Sequence, residues 1–130
     1  MTTVFIAAPF RKCRAAEDAR AELSRAGIRC TSRWIDQACA LGGHDSFTAE
    51  VAAKAIHEND SDLQSADVCV ALYYPGKGCE MFGEVARALE WRKPVYLVVR
   101  DSSWPLVAYR PGVTLCASVA AVVETLVPRG

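Results

Sequence analysis

The sequence predicts a doubly wound parallel α/β sheet forming a single domain over residues 1–130. Two observations carry this. Short runs that are apolar throughout alternate with amphipathic helical segments along the chain, the pattern of strands buried on both faces by crossover helices. The polar and aromatic residues outside the helices gather just past the C-terminal ends of those runs, where ligands bind in open parallel sheets. The chain has 130 residues, just over half of them hydrophobic, enough for one real core.

The elements follow in order. "TVFIAA" (Thr3 to Ala8) is a partly β-branched apolar run, read as a buried strand that Pro9 ends. From Lys12 to Ala26, Ala16, Ala19 and Leu23 recur at helical spacing with charges between them, and Gly27 closes the helix. "IRCTSRW" (Ile28 to Trp34) is expected as the second strand. Asp36 to Asp45, which includes "LGGHD", is expected as a flexible loop. Ser46 is expected to cap a helix from about Phe47 to about Gln64. "DVCVALY" (Asp67 to Tyr73) is the third strand and "YPGKG" a tight turn. The stretch from Gly78 to Val99 is a helix running into the strand "PVYLVV". A longer connection, a weak strand "VTLCAS" and a last helix from Val119 to Val127 complete the chain. Right-handed crossovers leave few topologies, and a flavodoxin-like strand order of 2-1-3-4-5 is expected.

Composition excludes several classes. Lysine plus arginine balance aspartate plus glutamate at fifteen each, so no basic excess drives nucleic-acid binding. No run is long and apolar enough to span a bilayer, and the N-terminus has no basic region before its apolar run, so neither membrane insertion nor a signal peptide is expected. The six cysteines form no CxxC pair and only His44 and His57 could assist them, so no metal site is expected. Cys30, Cys69 and Cys116 read as small buried strand residues, and reduced thiols in the cytoplasm are the simplest account. Cys79 reads as a bystander thiol, with no histidine base near it in sequence.

The candidate site residues lie at the strand ends. Pro9, Phe10 and Arg11 follow the first strand, Trp34 the second, and Tyr74 and Gly78 the third; all are expected to contact a substrate. Arg11, Lys12 and Arg14 at a helix start could hold an anion or could simply be solvated. The loop has no GxGxxG or P-loop pattern, so no dinucleotide or NTP site is supported, and no cofactor is expected. Asn59 and Asp60 fall between Ile56 and Leu63 on one helix face, as a polar helix end or as site residues. Phe82, Val85, Ala88 and Leu89 mark the apolar stripe of the Gly78 helix. Glu84 lies at its rim, beside Met81 and Ala88. A partly desolvated carboxylate there can act as nucleophile or general base, and the nearby helix N-terminus is expected to help keep it ionised.

"VFIAAPF", "TSRW", "HENDSDLQSADV" and "GCEMFGEVARALEWRKPVYLV" together resemble the nucleoside 2-deoxyribosyltransferase family, which includes 2′-deoxynucleoside 5′-monophosphate N-hydrolases. The resemblance spans roughly Val4 to Val99. The family motif Glu-x-Gly-x-Ala followed by Lys-Pro-Val reads here Glu84-Val-Ala-Arg-Ala88, then Lys93-Pro94-Val95, with Ala86 replacing the usual glycine. The resemblance implies that Glu84 attacks the anomeric carbon of a deoxyribose and forms a glycosyl-enzyme ester, which water or a second base resolves. It implies a second acidic residue before Ala66-Asp67. An ungapped count places it at Asn59; aligning the "HE-x-D" text places it at Asp60, which is preferred because an aspartate can shuttle a proton. The loop after the first strand lacks the family hydrolases' serine-glycine sequence, and the loop after the third lacks the transferases' extra aspartate.

The expected function is therefore N-glycosidic cleavage of a 2′-deoxynucleoside or its monophosphate, by hydrolysis or transfer, on small-molecule substrates. A non-catalytic nucleotide-binding or sensing module is the alternative, and a flavin-binding domain ranks last. A homo-oligomer, dimer or higher, is expected from the resemblance, with Trp91 and Trp104 as either interface aromatics or residues packed within the domain.

Overall fold

The computed structural model describes residues 2–42, 48–76, 79–101 and 104–127. Five parallel strands form one sheet: β1 (Thr3–Ala7), β2 (Arg29–Cys30), β3 (Val68–Leu72), β4 (Val95–Val98) and β5 (Val113–Cys116). Their order is β2-β1-β3-β4-β5, as the sequence predicts. Five helices accompany them: α1 (Cys13–Arg25), α2 (Trp34–Ala40), α3 (Ala49–Ser65), α4 (Cys79–Glu90) and α5 (Val119–Leu126). Short 3-10 turns occupy Phe10–Lys12 and Leu106–Tyr109.

The strands form where β-branched and aliphatic residues run together, and β3 is buried at all five positions. Helices α1 and α5 pack together, as do α3 and α4, and α2 joins α1 to α3. Helix α1 turns Cys13, Ala16, Ala19 and Leu23 inward. Helix α4 does the same with Met81, Val85 and Ala88, each almost fully buried. No helix among the described residues is long and apolar enough to cross a membrane.

Three local expectations are corrected. The second strand is two residues long and does not reach Trp34; Thr31 still donates its backbone N–H to Val4 O (2.8 Å), but the chain then turns into α2. The segment from Asp36 is helical as far as Ala40, because Trp34, Ile35 and Ala38 bury one face of a short helix. Arg20 of α1 holds Asp36 at 2.8 Å and fixes that helix further. The third correction concerns the start of α3. Its N-cap is Thr48, whose hydroxyl accepts from Val51 N at 3.2 Å. Gly43 to Phe47, including Ser46, lie outside the described residues.

Lys93 of the Lys-Pro-Val stretch has a structural task. Its Nζ donates to Gln64 O (2.9 Å) and Ala66 O (2.5 Å), the carbonyls left open at the C-terminal end of α3. The turn before it puts Arg92 at φ 58°, a left-handed conformation, while Lys93 N returns to Ala88 O (2.9 Å). The α4–β4 turn therefore holds down the end of α3, the helix that carries Asn59 and Asp60. Replacing Lys93 with Met removes two charge-assisted hydrogen bonds and is expected to cost about 2 kcal/mol in urea unfolding; an unchanged midpoint would remove this account.

Candidate functional site

Glu84 stands in the second turn of α4, five residues after Cys79. The residue as a whole is half-buried, but its Oε2 is closed off from solvent and has no hydrogen-bond partner. Burial is the main reason its carboxyl rises from an ordinary 4.5 to about 8. The charges of Glu80 and Asp60 push in the same direction, and Arg87 opposes them. The expectation that the helix N-terminus keeps this group ionised is therefore corrected. The dipole acts within the first turn, and Glu84 lies beyond it. Cys69, fully buried on β3, lies within the field of Glu84, and its thiol is pushed up by burial and by that charge.

Asp60 and Asn59 differ in setting although adjacent on α3. Asp60 forms an ion pair with Arg87, one turn beyond Glu84, and both partners are close to half exposed. Arg87 also lies over the Trp91 ring, 5.9 Å from its centroid. Asn59 carries a buried Oδ1 with no partner. Ile56 is 59% exposed whereas Leu63 is buried, so the apolar face that flanks these residues is covered only at its C-terminal end.

The strand-end residues form an aromatic wall. Trp34 is buried and donates its Nε1–H to Ile6 O at 2.8 Å. The ring of Phe10 lies 6.3 Å from that of Trp34, tilted by 31°. Lys12 sits 4.9 Å above the Tyr74 ring and so joins the loop after β1 to the loop after β3. Tyr73 meets Phe82 of α4 at 6.0 Å. Pro9 starts the 3-10 turn that carries Phe10 and Arg11. Gly78 lies outside the described residues. The structure thus brings together Phe10 with Trp34, Lys12 with Tyr74, and Glu84 with Asp60 through Arg87. The groove lined by Gln37, Leu41, Val51, Lys54 and Ala55 contains none of these residues.

Sequence reasoning missed Arg87 as a partner of Asp60, and Asp62 altogether. Asp62 is buried and bound by Arg33 at 2.8 Å. Its signal was available: it adjoins Leu63, on the part of the helix that must face the sheet.

Comparison with protein-family profiles and with curated proteins finds no match for the sequence. Solved structures do match. A 2-deoxyribosyltransferase from Bacillus psychrosaccharolyticus superposes with a TM-score of 0.71 at 13% identity, covering 95% of this chain and 91% of that one. The chain has the 2-deoxyribosyltransferase fold. A CMP N-glycosidase from Clostridium botulinum gives a TM-score of 0.63 at 12% identity, over 96% of this chain and 98% of the other. The fold expected from the residue resemblance is therefore the fold observed, over nearly the whole chain.

The buried carboxyl makes a thermodynamic prediction. A carboxyl whose folded value is raised binds its proton more tightly in the native state. Its stabilising contribution is complete below about pH 4.5 and is lost as pH rises towards about 8. Across that window wild-type stability should fall relative to Glu84→Gln, by up to about 1.4 kcal/mol per pH unit. Parallel urea-unfolding curves for the two proteins between pH 4 and pH 9 measure this; parallel stabilities across the window would show that the carboxyl is not desolvated.

Proposed function

We propose that the protein cleaves the N-glycosidic bond of a nucleoside or nucleotide, with Glu84 as the nucleophile. The observation that carries this reading is the buried, unpartnered Oε2 of Glu84 on α4, in a chain that shares its fold with a 2-deoxyribosyltransferase and a CMP N-glycosidase. A carboxylate with one oxygen shielded from water and unpaired can offer that oxygen to an incoming electrophilic carbon.

Ionised Glu84 attacks the anomeric carbon of the sugar, the carbon–nitrogen bond breaks, and the base leaves with the electron pair and takes up a proton. The glycosyl ester on Glu84 is then opened by water, giving the free sugar and restoring the carboxylate, or by the nitrogen of a second base, giving a new nucleoside; the proton that the water or the second base loses balances the one taken up by the leaving base. Phe10 and Tyr74 would hold the base, with the buried Trp34 behind Phe10, and Asn59 or Asp60 would hold the sugar or the leaving base. Asp60 is already engaged by Arg87, so Asn59, with its open Oδ1, is the stronger candidate for direct contact with substrate. Asp60 then acts on Glu84 by neutralising Arg87.

A second reading, a nucleotide-binding module without turnover, has one observation in its favour: at rest around neutral pH the carboxyl of Glu84 is mostly protonated and so not yet a nucleophile. The wider reading is of a cytoplasmic homo-oligomer. The free thiols of Cys13, Cys30, Cys39, Cys69 and Cys116 suit a reducing compartment, and Trp91 and Trp104, 38% and 50% exposed, are its candidate interface aromatics.

A panel of deoxynucleosides, deoxynucleoside monophosphates and CMP, with and without an acceptor base, tests this by release or exchange of free base. Glu84→Gln should lower the rate by at least about 1,000-fold. For the wild type, kcat/KM should climb with pH, reach half its limit near 8 and level off above that, following ionisation of Glu84 in the free enzyme. Asp60→Asn removes one of the charges that oppose ionisation and should move the rise to lower pH. Saturable nucleotide binding with no base released from any substrate would instead establish the binding module.

A further inference from the structure

We propose that the Arg33–Asp62 ion pair is a latch that sets Trp34 and Asn59 against each other, making Arg33 and Asp62 positioning residues for the reaction assigned above to Glu84. The proposal rests on that assignment for its catalytic consequence and on geometry for the latch itself.

Among the described residues Ser32 and Asp62 are the buried polar ones, and both serve the same four-residue segment. The carboxylate of Asp62 accepts from Arg33 N at 3.0 Å, from Arg33 Nε at 2.9 and 3.1 Å, and pairs with the guanidinium at 2.8 Å. The backbone carbonyl of Asp62 accepts from Thr31 Oγ1 at 2.8 Å. Residues 32 and 34 bind elsewhere. Ser32 Oγ accepts from Ile6 N at 2.7 Å and donates to Ile6 O at 3.3 Å, and Trp34 Nε1 donates to the same carbonyl. Arg33 therefore ties the segment to α3, Ser32 and Trp34 tie it to β1, and Thr31 bonds both. A further tie, Gln37 Nε2 to Glu58 at 2.9 Å, joins α2 to α3 beside Asn59.

Two site residues hang on this segment. Trp34 follows Arg33 directly and makes the aromatic wall with Phe10. Asn59 lies one helical turn before Asp62, so its amide is aimed from the face of α3 that the latch fixes. Asp62 is buried but the Arg33 side chain is more than half exposed, so water screens the pair and it adds little to stability. What this pair adds is register: it places the buried Trp34 ring that backs Phe10, and the amide of Asn59, at one fixed separation, which sets how the anomeric carbon meets Glu84.

The test uses CMP, dCMP and 2′-deoxycytidine with the full chain. On whichever the wild type cleaves, Asp62→Asn should lower kcat about tenfold or more. KM should stay within about threefold, and the melting temperature should shift by no more than about 4 °C. The double variant Arg33→Met/Asp62→Leu, which replaces the pair by apolar residues and also removes the acceptor of Arg33 N, should remain folded and show the same loss of kcat. A folded variant of either kind with wild-type kcat, or a loss that only tracks the unfolded fraction, overturns the proposal. If the wild type cleaves none of the three, nor any member of the wider panel of deoxynucleosides and monophosphates, the Glu84 reading fails on its own. The latch is then decided in a Trp91→Phe/Trp104→Phe background, where Trp34 is the sole tryptophan. Adding Asp62→Leu there should increase acrylamide quenching of its fluorescence, and unchanged quenching overturns the latch.

Discussion

The structure depends on how β1 satisfies its backbone where its neighbour stops. β1 lies inside the sheet, so both of its edges need partners. On one side β3 supplies them along Val4 to Ala7. On the other, β2 ends at Cys30 and leaves Ile6 without a strand. The Ser32 hydroxyl and the Trp34 indole take over, receiving the N–H of Ile6 and capping its carbonyl. A side chain that completes a ladder has a fixed position, because an unpaired buried amide costs ~1–3 kcal/mol. Trp34 is therefore held by the needs of the sheet, and the aromatic wall built on it inherits that rigidity.

The same requirement shapes the other side of the site. α3 has no long apolar face to anchor it: Val51 and Ile56 are largely exposed, and burial begins in earnest at Asp62 and Leu63. Polar contacts hold it instead. Thr48 closes its start, Arg33 grips its last turn, and Lys93 gathers its last carbonyls. Each of these comes from a different part of the chain. The position of Asn59 and Asp60 thus records three separate attachments, and α4, anchored by Met81, Val85 and Ala88, supplies Glu84 from a helix that is held by the core.

Much of this was legible in the residues. Strands buried on both faces leave unbroken apolar runs, so β1, β3 and β4 and the order of the sheet could be read directly. Glu84 could be read from its place at the edge of an apolar stripe. The second strand misled because Thr31, Ser32 and Trp34 are good strand residues; they serve here through side chains, and propensity does not encode that use. α2 is seven residues long, too short for its period to stand out. The pairing of Asp60 with Arg87 depends on the distance between two helices, which no spacing within one helix reveals.

One consequence of the buried carboxyl concerns the protein's charge. The formal balance of fifteen acids against fifteen bases counts Glu84 as ionised. With its carboxyl near 8, the resting molecule carries a proton there through neutral pH and bears a net charge closer to +1. Any ligand that binds best to the carboxylate must expel that proton into the medium. Its binding heat then includes the ionisation heat of the buffer, so the same titration in phosphate and in Tris should give different enthalpies.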